Sequence, residues 1–376
     1  MLNASTCGIK NKIIILFLFF YINGVVLFNY FRYKKIIKYN LMYPPTWAIS
    51  MKTIQFREAI CEAMSEEMRK DDTIYLMGEE VAEYNGAYKA SKGMLEEFGA
   101  KRVIDTPIAE LGFAGIAIGS AMNGNRPIIE YMTFNFSLVG IDQIINNAAK
   151  IRQMSGGQFN CPIVFRGPTA SAGQLAATHS QAFENWFANT PGLKVVVPSN
   201  PADAKGLLKS AIRDNDPVIF MESEQMYGDK GEVPEGEYLI PLGVAEIKRK
   251  GSDVTIVSFG KIIKEAYKAA DQLAAEGIEC EIIDLRTVRP LDINAILDSV
   301  KKTNRLVVLE EAWPFGNVAT EITYQIQSQA FDYLDAPVEK INTADTPAPY
   351  SPALFAEWLP NSTDVVKAVK KVLYKK

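Results

Sequence analysis

Residues 102–132, RVIDTPIAELGFAGIAIGSAMNGNRPIIEYM, decide the fold. A β-branched run, Arg102–Asp105, ends at a carboxylate, and an apolar segment rich in small residues, Leu111–Met122, follows. Pro127–Met132 is again a short extended run. Strand, helix and strand in such close succession make a βαβ unit, with the strands parallel and the helix across one sheet face. Pro107 is expected to open the helix. Gly112, Ala114, Gly115, Ala117 and Gly119 should let it press closely on its neighbours. Glu110 stands out. The ordinary reading is a carboxylate complementing the helix dipole. A capping-box acid lies three residues after its cap, whereas Glu110 lies four after Thr106, so that reading is weakened and a catalytic one stays open.

The alternation continues outward on both sides. Strands are expected at Thr73–Met77, Pro162–Arg166, Lys194–Pro198 and Val218–Glu222, with helices at Phe56–Arg69, Val139–Arg152 and Ala202–Arg213. The last helix has a strong start signal in Asn200 and Pro201. Met226–Gly243, rich in Gly, Pro and Glu, reads as a connector. A second alternation follows, with strands at Val254–Phe259, Glu279–Asp284, Arg305–Glu310 and Val338–Ile341. Helices fall near Ile262–Ala275, Ile293–Lys301 and Val318–Gln329, the first closed by Gly277. The fold class is α/β, with two parallel-sheet domains at 51–230 and 246–376 joined by a linker at 231–245.

Composition narrows the function. Of 376 residues, 48% are apolar and 22% charged, which excludes collagen-like and wholly disordered chains. A formal charge of −4, with no run of five like charges, argues against a nucleic-acid partner. The four cysteines, Cys7, Cys61, Cys161 and Cys280, are scattered, so neither a cysteine zinc site nor a disulfide framework is expected. His179 is the single histidine, which excludes a multi-histidine metal site within the chain.

Residues 1–50 are set apart as an N-terminal extension. They hold six Lys or Arg and no Asp or Glu, whereas the other 326 residues hold 34 basic and 44 acidic side chains. The uncharged stretch 13–31 reaches across a hydrocarbon core of ~30 Å, so a membrane anchor is one expectation. Ile, Lys, Asn, Phe and Tyr, whose codons are AT-rich, make up 28 of the 50 residues. That composition favours an upstream stretch translated from a misplaced start.

Several motifs are missing. There is no phosphate loop of the G-x-x-x-x-G-K-[ST] type, no G-x-G-x-x-G dinucleotide fingerprint and no G-x-S-x-G elbow. What remains is Glu110 and the segment Thr178-His179-Ser180-Gln181, which follows the small-residue run Pro168–Gly173. Such a loop has little packing value and suits a site lining, although a lone histidine is more often structural. Met132, Phe134, Asn135 and Phe136 follow a strand at its C-terminal end, where α/β sites form.

Seven segments together carry a resemblance. They are GEEVAEYNGAYKASKG (78–93), DTPIAELGFAGIAIGSAM (105–122), MTFNFS (132–137), IDQIINNAAKIRQMSGG (141–157), PIVFRGP (162–168), ASAGQLAATHSQ (170–181) and DLRTVRP (284–290). From residue 51 onward the chain resembles the beta subunit of the thiamine-diphosphate-dependent 2-oxo acid dehydrogenases, a transketolase-like family. The resemblance implies a pyrimidine-binding domain followed by a transketolase C-terminal-like domain. It implies that Glu110 meets the cofactor's aminopyrimidine ring and promotes the imino tautomer that removes the thiazolium proton. Met132 and Phe136 would pack on that ring, and Ile108 would supply a backbone contact. His179 would act in acyl transfer to a lipoyl group, and Glu79 would line the same channel.

Further expectations come with the family. A structural potassium ion would bind the carbonyls of Ile163, Ala211, Ile212, Asp214 and Asp216, the last standing where the family has asparagine. Asp335 would help dock the dihydrolipoyl acyltransferase core. No Gly-Asp-Gly segment for magnesium and diphosphate occurs, since Tyr227-Gly-Asp-Lys-Gly does not fit. An alpha subunit is therefore expected to hold Mg2+ and the diphosphate in a heterotetramer of two alpha and two beta chains. Pyruvate is the expected substrate, with branched-chain 2-oxo acids or acetoin as alternatives. The location would be the bacterial cytoplasm, or the mitochondrial matrix in a eukaryote. A membrane-tethered, non-catalytic interaction subunit is the reading from a different class.

Overall fold

Neighbouring residues of the central strands feed two different cores, which explains the unbroken apolar runs in the sequence. The structure, a computed structural model, describes residues 50–375. The expectations for residues 1–49, including the apolar stretch 13–31, lie outside the described residues. In chain order the first eight strands are β1 (Met51–Gln55), β2 (Ile74–Gly78), β3 (Val103–Asp105), β4 (Arg126–Glu130), β5 (Val164–Pro168), β6 (Lys194–Val196), β7 (Val218–Glu222) and β8 (Lys230–Pro234). Then come β9 (Glu246–Arg249), β10 (Val254–Ser258), β11 (Cys280–Asp284), β12 (Thr287–Arg289), β13 (Leu306–Leu309) and β14 (Glu339–Ile341).

The larger sheet runs β12-β6-β7-β5-β4-β2-β3 and is parallel except where β12 meets β6. The smaller runs β14-β13-β10-β11-β9 and is parallel except where β9 meets β11. Two parallel α/β sheets were the expectation, and each has gained one antiparallel edge. The strand β12 was not foreseen: it belongs to the second alternation in sequence but completes the first sheet, and three residues are too few to show a period.

Helices α1 (Phe56–Met68) and α3 (Pro201–Arg213) cover one face of the larger sheet, and α2 (Glu110–Met122) covers the other. Ile128 of β4 packs under α1 and α3, while Ile129 enters a core shared by both sheets. The pairs Val164 and Phe165, and Val218 and Ile219, divide in the same way. In the smaller sheet, Ile256 and Ile282 pack with α4 (Ile263–Ala274) and α7 (Ser362–Val372). Val257 and Ile283 join the shared core beside α5 (Ile293–Thr303) and α6 (Val318–Ala330). Each such side chain contributes about 1.5–3 kcal/mol by leaving water. Strands covered on both faces lose the polar alternation of a half-exposed sheet.

The cap at Asn200 forms as expected, its side chain accepting the Asp203 N–H at 2.9 Å. Three elements depart from expectation. Pro107 does not open α2, which starts at Glu110 after Ala109, because Thr106 N–H still bonds the Gly78 carbonyl at the sheet edge. The expected helix Val139–Arg152 is broken into a π-turn at Gln143–Ala148 and a short α-turn at Ile151–Met154. A 3-10 turn at Phe134–Leu138 precedes it, and Val139 and Gly140 close that turn onto Phe136 and Ser137 instead of opening a helix. The expected connector contains β8, which pairs with β1.

Candidate active site

Three parallel strands end on one line, and a fourth, β5, passes it by two residues. Asp105, Gly78, Glu130 and Arg166 are register partners across β3-β2-β4-β5. The next residues along each chain therefore emerge together at the C-terminal edge, where crevices form in α/β sheets. Glu79 leaves β2, the turn to Glu110 leaves β3, Tyr131 and Met132 leave β4, and the loop carrying His179 leaves β5. Close approach of β2 to β4 requires glycine at 78, since a Cβ there would lie 2.5 Å from the Glu130 carbonyl oxygen.

Glu110 occupies the first position of α2, where unpaired N–H groups favour a negative charge. It is buried, and so is Glu79. Burial, with the neighbouring Glu110 carboxylate and a hydrogen bond shared with it, pushes the Glu79 carboxyl up to about 7. The pair therefore holds a proton near neutral pH. Two polar atoms beside it lack a partner, Glu79 Oε1 and the Tyr131 hydroxyl. Burial and the Glu110 charge push that hydroxyl well above the usual tyrosine range. Gly140 packs against the Glu110 backbone, its missing Cβ leaving room 3.0 Å from the Glu110 carbonyl oxygen and 3.3 Å from the Tyr131 hydroxyl.

The aromatic side of the site lies on the turn Phe134–Leu138. Phe136 meets His179 edge to face with ring centroids 5.1 Å apart, so two residues singled out in sequence touch across 43 positions. His179 Nδ1 lies 3.0 Å from Thr178 Oγ1. Asn135 joins the two segments: its Oδ1 accepts from Gln181 N and Nε2 at 3.2 and 3.1 Å. Met132 is half-buried at the end of β4, and Ile108 is 83% exposed on the turn before Glu110. In the sequence Asn135 is only a neighbour of the aromatics, and its bridging role depends on a contact no local pattern reports.

A buried ionic pillar supports this floor. Arg166 is fully buried and donates from Nε and Nη2 to Glu222, each at 2.6 Å, and from Nη1 to Glu130. Tyr227 also donates to Glu222, at 2.7 Å. Losing one partner of such a cluster leaves a buried charge uncompensated, at about 3–5 kcal/mol.

The carbonyls expected around potassium lie apart from the acid pair. Arg126 Nη1 donates to those of Ile212 and Asp214 at 3.0 and 2.9 Å. The Ile163 carbonyl accepts from Val218 at 2.9 Å, and that of Ala211 from Asp214 at 3.2 Å. The Asp216 side chain turns to Arg152 and Lys194, at 2.7 and 3.3 Å. Asp335 is half-exposed and pairs with Arg305 at 3.1 Å. Among the described residues, no group of three or more His, Cys, Asp or Glu is arranged to hold a metal.

The fold is that of transketolase-like proteins. The transketolase pyrimidine-binding domain matches residues 52–230, and the transketolase C-terminal domain matches residues 243–365. A solved structure described as a split-gene transketolase, inactive beta4 tetramer, superposes with a TM-score of 0.70 at 23% identity, covering 86% of this chain and 99% of that one. Among curated relatives, the pyruvate dehydrogenase E1 component subunit beta of Rhizobium meliloti is 56% identical over 326 residues, 86% of this chain and 71% of the relative. That of Rickettsia felis is 54% identical over 321 residues, 85% and 98%. The mitochondrial beta-2 subunit of Oryza sativa is 50% identical over 333 residues, 88% and 89%. The chain belongs to the family of pyruvate dehydrogenase E1 component beta subunits.

Proposed function

We propose that this chain supplies the aminopyrimidine half of a thiamine-diphosphate site for the oxidative decarboxylation of pyruvate, with the acetyl group passed to the lipoyl group of an acyltransferase. The observation that carries the reading is the buried Glu79–Glu110 pair at the start of α2, in a chain of this family. The unpartnered Glu79 Oε1 and Tyr131 hydroxyl beside Glu110 suit a ring with N–H and amino donors. When bound, thiamine diphosphate supplies the carbon nucleophile that takes up the 2-oxo acid and stores the electrons left by carbon dioxide.

The chain's own residues would do four things. Glu110 would accept a hydrogen bond from the ring nitrogen and favour its imino form. Glu79 would keep a proton beside that carboxylate near neutral pH, preventing two adjacent charges. Phe136, Met132 and the Ile108 backbone would hold the ring. His179, with Nδ1 beside Thr178, would use its other nitrogen to give a proton to the lipoyl sulfur released in transfer.

An alpha partner carrying Mg2+ and the diphosphate belongs to the same reading. It is supported by the missing Gly-Asp-Gly and by exposed apolar side chains around the Glu110 segment: Ile108, Leu111, Ile116 and Val139. Potassium at the carbonyls of Ile163, Ala211, Ile212, Asp214 and Asp216 belongs to the reading too, and what supports it is that those of Ile212 and Asp214 converge on one cationic nitrogen, Arg126 Nη1. Asp335 in docking the acyltransferase core, a bacterial cytoplasmic or mitochondrial matrix location, and the domain bounds 51–230 and 246–376 complete the proposal. No helix among the described residues is long and apolar enough to cross a membrane.

Co-expression with the alpha partner provides the test. Pyruvate should exceed 2-oxoisovalerate in kcat/KM, and a reversed preference would reassign the substrate. In the same complex, Glu110→Gln should assemble normally yet lose decarboxylation by about 100-fold or more. Near-normal turnover in that variant would remove Glu110 from its role.

A further inference from the structure

We infer that Lys261 and Glu311, from the smaller-sheet half of the chain, form a clamp that positions the His179 loop for acyl transfer. The inference rests on the role proposed above for His179.

The loop between β5 and Gln181 is tied at both ends. Thr169 N–H bonds the Glu222 carbonyl at 2.9 Å, and Ala170 N–H bonds the Gln181 carbonyl at 3.0 Å. Between these ends Ala170 and Ala176 adopt φ of 60° and 63°, in the left-handed region. Each costs about 1 kcal/mol or more for an L-residue and persists only where surrounding structure over-determines it.

Ser171 supplies that over-determination. It is fully buried, and all three of its polar groups are held from outside its own sheet. Its N–H donates to Glu311 Oε1 at 2.7 Å. Its carbonyl accepts from Lys261 Nζ at 2.8 Å, and its hydroxyl accepts from the same ammonium. Lys261 also donates to Gln225 Oε1 at 2.9 Å and pairs with Glu311 at 3.1 Å. Lys261 lies on the turn Gly260–Ile262 after β10, and Glu311 lies just beyond β13. Both side chains are nearly buried.

Past this anchor the loop is thinly held. Gln174 and Leu175 are exposed, and the hydrogen-bonded anchor on the far side is Gln181 on Asn135. The placement of His179 against Phe136 therefore depends on where Ser171 is fixed. Lys261 and Glu311 touch no reacting atom on this account; they are positioning residues.

The test uses the assembled complex with Lys261→Met, Lys261→Arg and His179→Ala. Amide hydrogen exchange reports the loop, and two rates report the chemistry: carbon dioxide release with a redox dye as oxidant, and reduction of a lipoyl acceptor. Lys261→Met should speed exchange at 171–181 and lower the lipoyl rate about tenfold or more, with a smaller loss in the dye-coupled rate. Lys261→Arg should restore both readouts. If Lys261→Met does not assemble, Lys261→Gln gives the same comparison. Unaltered exchange, or equal losses in the two rates, would overturn the clamp. Unchanged lipoyl transfer in His179→Ala would overturn the role of His179 instead, and the exchange readout keeps the two failures apart.

Discussion

Glu79 is where the fold sets a protonation state. Its carboxyl titrates near 7 when folded and near 4.5 when unfolded, because burial and Glu110 both oppose its charge. As pH rises from about 4.5 to 7, the unfolded chain releases this proton while the folded chain keeps it. Stability from this group is thus fully present at low pH and is lost as pH climbs through the folded value. Glu79→Gln removes that dependence, so the variant should gain about 2 kcal/mol relative to the parent between pH 5 and 7.5. Urea unfolding at several pH values measures the difference, and parallel stability curves would contradict the assignment. In the sequence, Glu110 was visible by its spacing from the strand end, whereas Glu79 entered through resemblance alone. Its partner lies 31 residues away and reaches it through the pairing of Gly78 with Asp105. The roles of Arg166 and Asn135 are hidden in sequence for the same reason, since their partners sit on other strands and loops.

Elements place these residues, and β2 does most to place Glu79. Gly78→Ala should drive a methyl group against the Glu130 carbonyl, forcing β2 away from β4 by an amount flexible side chains cannot absorb. A loss of about 1–3 kcal/mol is expected. Activity should fall further than stability explains, because Glu79 shifts relative to Glu110. Thermal unfolding beside kcat on the complex distinguishes the two effects, and unchanged values in both would show that the strands tolerate a side chain there. Long periodic elements such as α1, α3 and α4 could be read from sequence by their apolar spacing, reinforced in α3 by the cap at Asn200 and Pro201. The segment 139–152 could not. Its apolar residues look helical, yet Gly140 must pack against the Glu110 backbone and Gln143 must lie over Gly115, and the helix yields to those contacts as a π-turn.

At the scale of the molecule, the two alternations are less separate than their sequence order suggests. They share one core, β12 crosses to complete the larger sheet, and Lys261 and Glu311 hold a loop of the other half. None of these is a local pattern, so the two-sheet plan was legible while its cross-connections were not. The site edge built this way is rich in acid. Glu79, Glu110, Glu130, Glu222 and Glu224 lie at or beside it, while Arg166 is committed to Glu130 and Glu222. From residue 51 on, acidic side chains outnumber basic ones by ten. A diphosphate tail brought to such an edge meets repulsion, whereas an aminopyrimidine ring meets acceptors and aromatic faces. The isolated chain should therefore bind thiamine diphosphate weakly, with little response to Mg2+. Adding the alpha partner should tighten binding by about 100-fold or more and make it metal-dependent, because the tail then gains a cation in a site of its own. Titration calorimetry with and without the partner reads both quantities. Tight, Mg2+-dependent uptake by the isolated chain would mean that a diphosphate site exists within it, and the division of the cofactor between two subunits would fall.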